Sequence, residues 1–89
     1  MDDLILLREK INEIDQKLVV LFEERMEIVL KVAQYKRLNS ISILDEDREK
    51  EVIDRNKARL KNKNFEDSLE KFLNELMNLS KKEQKKINE

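Results

Sequence analysis

The sequence predicts an all-α fold, and two absences and one pattern carry that prediction. No glycine and no proline occurs among the 89 residues, so the chain contains no strong helix breaker. Charged residues make up 44% and aromatic residues 4%, and the Leu, Glu, Lys, Arg, Ile and Asn that fill the chain suit long solvated helices. Apolar residues recur in steps of three and four, the spacing of one helical face.

The first helix is expected from near Asp3 to about Leu38. Its stripe runs through Leu4, Leu7, Ile11, Ile14, Leu18, Leu21, Ile28, Val32 and Tyr35. At about 1.5 Å per residue such a helix is roughly 50 Å long, whereas a compact chain of this length has a radius of gyration of only about 12 Å. It overhangs its own domain, and a partner chain covering the overhang is the simplest remedy. Asn39 to Leu44 reads as a linker. Asp45-Glu46-Asp47 then supplies an N-cap and an acidic first turn for a second helix, expected from about Glu46 to Lys61. Asn62 to Asn64 reads as a short break with Asp67 or Asn64 as caps. A third helix follows from about Phe65 or Glu66 to Lys86, with Leu69, Phe72, Leu73, Leu76 and Met77 on one face. Neither a repeat nor a composition shift divides the chain, so residues 1–89 are read as a single domain.

Composition also narrows the chemistry. With no cysteine and no histidine, a disulfide framework, a thiolate nucleophile, a thiolate metal site and the commonest general base are all excluded. Any chemistry here must run on Arg, Lys, carboxylates, amides and hydroxyls. The formal net charge of -1, with both signs intermixed, gives no basic surface for nucleic acid. The late run Lys81, Lys82, Lys85, Lys86 reads as the basic end of a helix. No apolar run is long enough to span a membrane, and the start Met1-Asp2-Asp3 lacks the features of a signal peptide, so a cytoplasmic protein is expected.

Five polar residues interrupt the apolar faces. Arg25 stands where the first stripe calls for an apolar residue, and Lys36 lies within roughly 20° of it around the axis at about 100° per residue. A cation on a buried face calls for an anion, either a carboxylate of another helix or a ligand. On the third helix the stripe continues into Ser80 and Gln84, which is either a frayed end or a polar patch. On the second, Arg48 and Glu49 precede Val52 and Ile53, which is either capping with an exposed ion pair or a contribution to a site. If the faces meet, Arg25, Lys36, Glu49, Ser80 and Gln84 form a polar pocket. Arg8 flanks the first stripe about 25 Å from Arg25 along the helix at about 1.5 Å per residue, so one small ligand cannot touch both on one straight helix. An antiparallel two-fold mate crossing near Leu18 and Val19 would bring its Arg8 alongside the stretch between Arg25 and Lys36.

The stretches Leu7-Arg8-Glu9-Lys10-Ile11, Ile14-Asp15, Glu24-Arg25, Tyr35-Lys36, Asp45-Glu46-Asp47-Arg48-Glu49, and Ser80 with Gln84 resemble the all-helical (type II) class of chorismate mutases in order and spacing. That resemblance spans nearly the whole chain. It implies an intertwined all-α homodimer of three helices per chain that converts chorismate to prephenate without cofactor or metal, the branch-point step toward phenylalanine and tyrosine. It further implies that Arg25 and the partner's Arg8 clamp the substrate carboxylates, with Arg48 and Ser80 assisting, and that Lys36 and Gln84 donate to the ether oxygen. Glu49 and the backbone N–H of Asp45 would hold the ring hydroxyl. Two other readings stand beside it: a lyase of the same fold acting on isochorismate, and a non-catalytic helical dimerisation module.

Overall fold

The computed structural model describes residues 2–88, so Met1 of the N-terminal reading lies outside it. It is all-helical: α1 (Asp3–Leu38), α2 (Glu46–Arg59), a 3-10 turn (Lys63–Phe65) and α3 (Glu66–Asn88). None of these helices is long and apolar enough to cross a membrane.

Each helix begins and ends for a local reason. Asp2 caps α1, its carboxylate accepting from the Leu4 N–H at 3.0 Å. At the other end the chain reverses without glycine. Ser40 takes the left-handed conformation at φ 55°, the Ile41 N–H returns to the Lys36 carbonyl at 2.8 Å, and the Ser40 N–H returns to that of Arg37 at 3.4 Å. Those paired bonds are the Schellman closure usually built on glycine. Asp45 caps α2, accepting from the Arg48 N–H at 3.0 Å. The second helix stops at Arg59 rather than Lys61, because Leu60 turns extended and Lys63 Nζ takes the Lys57 carbonyl at 2.8 Å, closing the end with a cation. Neither Asp67 nor Asn64 opens the next segment. Asn62 does, accepting from the Asn64 N–H at 3.1 Å and starting the 3-10 turn that runs straight into α3. The third helix continues past Lys86 to Asn88, where Arg37 of α1 reaches the Ile87 carbonyl.

The third helix is the centre of the chain. It is amphipathic and packs on both α1 and α2. Leu73 and Met77 on its inner face and Ala33 of α1 are the buried apolar residues among those described, and Lys57 of α2 pairs with Glu70 of α3 at 2.6 Å. The core is small because more than half of α1 lies exposed. Every residue from Asp2 to Glu24 is exposed, including Leu7 at 56%, Ile11 at 55% and Leu18 at 50%. The chain measures 58 × 25 × 15 Å with a radius of gyration of 16.4 Å, against about 12 Å for a compact globule of its length.

Candidate active site

Where α1, α2 and α3 converge they line a half-open cavity of about 310 Å³. The C-terminal part of α1 contributes Arg25 and Lys36 with Ile28 and Val32 between them. Asp45, Arg48 and Glu49 come from the N-cap and first turn of α2, and Ser80, Lys81 and Gln84 from the last turns of α3. The spacing of Arg25 and Lys36 along one helical face puts both cations on the same wall, with apolar residues between them.

Arg25 is half-buried, and Nη1 donates to Ser80 Oγ at 2.8 Å. The Ser80 hydroxyl in turn donates to the Leu76 carbonyl one turn back, also at 2.8 Å, which leaves its lone pairs facing the guanidinium. Among the described residues no carboxylate pairs with Arg25. Burial, and after it the nearby Arg48 charge, pulls the Arg25 pKa below its ordinary value. An arginine stays protonated regardless, so the direction signals a cation in need of an anion.

The other groups are fixed just as locally. Lys36 Nζ donates to the Ile43 carbonyl at 2.9 Å, tying the cation to the loop between α1 and α2. The Asp45 carboxylate is spent on capping, and Arg48, while lining the cavity, pairs with Glu51 at 3.0 Å, an exposed pair. Glu49 behaves differently: its Oε2 pairs with Lys81 Nζ across the gap between α2 and α3 at 2.9 Å. Ser80 and Gln84 are buried at 5% and 7% exposure, so the stripe of α3 does not fray into solvent. Gln84 Oε1 has no hydrogen-bond partner among the described residues. An unpaired buried amide oxygen costs about 1–3 kcal/mol and calls for a hydrogen-bond donor.

Seven of the eight residues singled out in the sequence, Arg25, Lys36, Asp45, Arg48, Glu49, Ser80 and Gln84, thus line one cavity. Arg8 does not; it is exposed on the overhanging half of α1. Two contributors escaped the sequence. The Ile43 carbonyl carries no sequence signal. Lys81 was hidden in a run of lysines that reads as a helix end, although its place directly after Ser80 puts it on the edge of the same face.

A small all-α chain with a cation-rich cavity at a three-helix junction defines a class of site suited to a small organic anion. The chain belongs to the chorismate mutase type II family, whose model it matches over residues 7–85. It is 42% identical over 52 residues to the bifunctional chorismate mutase/prephenate dehydratase of Buchnera aphidicola subsp. Acyrthosiphon pisum, and 40% identical over 52 residues to that of Escherichia coli K12. Each match covers 58% of this chain and 14% of the relative. The chorismate mutase of Methanocaldococcus jannaschii is 36% identical over 63 residues, covering 71% of this chain and 64% of that protein. The chain therefore spans less than two thirds of the length of each of these relatives. No solved structure gives a match of comparable significance.

Proposed function

We propose that this chain catalyses the intramolecular rearrangement of chorismate to prephenate, as an intertwined two-fold homodimer and without metal or cofactor. The observation that carries the reading is the composition of the cavity: four cationic side chains against two carboxylates, with a buried serine and glutamine among them. At about 310 Å³ it is of a size for one small ring. Family membership and the names of the relatives supply the substrate.

The rearrangement breaks one C–O bond as one C–C bond forms, and it needs neither a nucleophile nor a proton transfer. The protein has two tasks: to hold a flexible dianion in its folded, reactive shape, and to meet the negative charge that grows on the breaking ether oxygen. Arg25 and the partner's Arg8 grip the two carboxylates in bidentate fashion, helped by Arg48 and Ser80. Lys36 and Gln84 donate to the ether oxygen. Gln84 is neutral, so its amide donates without first taking up a proton. Glu49 and the Asp45 backbone N–H hold the ring hydroxyl.

The homodimer is supported by the overhang. An apolar stripe from Leu4 to Leu21 exposed to water is the kind of patch that a partner covers. In an antiparallel pair the partner's Arg8 supplies the charge that one chain cannot deliver to its own cavity.

Incubating the chain with chorismate and following prephenate tests the reaction, and calorimetric titration with a bicyclic dicarboxylate mimic of the transition state tests the site. Turnover is expected, together with tight binding that Arg25→Ala abolishes. Absence of both, or release of pyruvate from isochorismate with chorismate untouched, would overturn the reading.

A further inference from the structure

The proposed mechanism gives no part to Lys81. Yet its ion pair with Glu49 is, among the described residues, the only one with both members lining the cavity. The partners come from different helices, 2.9 Å apart, and their side chains are only 24% and 28% exposed. The remainder of the lysine run behaves as a helix end does: Lys82, Lys85 and Lys86 are exposed, and Lys86 pairs locally with Glu83. Lys81 alone turns inward.

A carboxylate in this cavity is useful and costly at once. Glu49 can accept a hydrogen bond from a ligand hydroxyl, but its charge repels a dianion held by Arg25 in the same cavity. The ammonium of Lys81 on Oε2 answers both problems. It cancels the charge, and it leaves Oε1 as the oxygen available to the hydroxyl.

We propose that Lys81 is a positioning residue that acts through Glu49, fixing that carboxylate as the hydroxyl acceptor and offsetting its repulsion of a dianionic substrate. This rests on the reading of the cavity as a chorismate site. Substrate and transition state carry the same two negative charges, so the effect belongs to uniform binding and falls on KM rather than kcat.

The test is steady-state conversion of chorismate by four variants of the whole chain: Lys81→Met, Lys81→Arg, Glu49→Gln and the double variant E49Q/K81M. Lys81→Met is expected to raise KM about fivefold with kcat within about twofold of the parent, the size of a partly screened charge pair. Lys81→Arg restores the parent KM. The double variant has a KM no higher than Glu49→Gln alone, because without the carboxylate there is nothing left to neutralise. A parent-like KM for Lys81→Met overturns the proposal, as do losses that multiply in the double variant, since Lys81 would then act on the substrate itself or on the fold. Lys81→Gln gives the same reading should Lys81→Met fail to fold. A parent chain that forms no prephenate removes the chorismate reading and this proposal together, whereas an active parent with an indifferent Lys81 removes this proposal alone.

Discussion

A guanidinium on an inward helical face is costly to keep, and Arg25 meets a neutral hydroxyl, with no carboxylate paired to it among the described residues. On the proposed reading the anion that satisfies it is the substrate, which links an energetic misfit to a ligand. Lys36 is held differently, on the Ile43 carbonyl, which presets its position before any substrate arrives. Such a preorganised donor does its work where charge develops. Lys36→Ala is therefore expected to lower kcat by about 100- to 1,000-fold with helicity unchanged by circular dichroism; near-parental turnover would remove Lys36 from the mechanism. Arg25, Lys36, Ser80 and Gln84 were legible in the sequence because each breaks an apolar period. Lys81 was not, since a lysine among lysines breaks nothing, and its meaning depends on how α2 lies against α3.

The elements themselves were legible from periodicity and caps, with Asp45 correctly expected to open α2. Their ends were less so. In a chain without glycine or proline the stops are made by side chains and by strained backbone, which leave weak marks in a sequence: Lys63 closes α2, and Ser40 closes α1. The Ser40 turn matters to the site, because it directs the chain into the loop that brings Ile43 over Lys36 and Asp45 to the start of α2. Left-handed backbone costs a residue with a Cβ about 1–2 kcal/mol, part of which glycine recovers after its greater loss of chain entropy on folding. Ser40→Gly should stabilise the protein by about 0.5–1 kcal/mol. Thermal melts at fixed protein concentration would show it as a higher Tm, and a lower Tm would mean that the serine hydroxyl matters more to the turn than the backbone strain.

At the scale of the whole molecule, one end of the chain is a site and the other is an unclothed helix. The sequence showed that imbalance through length alone: about 50 Å of helix at about 1.5 Å per residue, set against too few other residues to cover it. The registry of a partner along the overhang was beyond it, since the stripe from Leu4 to Leu21 is chemically uniform and a one-turn slip keeps the same face inward. The rigid spacing of Arg8 and Arg25 on α1 turns the assembly into a genetic test. If each site takes Arg8 from one chain and Arg25 from the other, then Arg8→Ala and Arg25→Ala are both inactive alone but complement each other when unfolded and refolded together. A heterodimer has one site carrying both lesions and one carrying neither. Random pairing would return about a quarter of the wild-type sites, whereas a site built within one chain would return none.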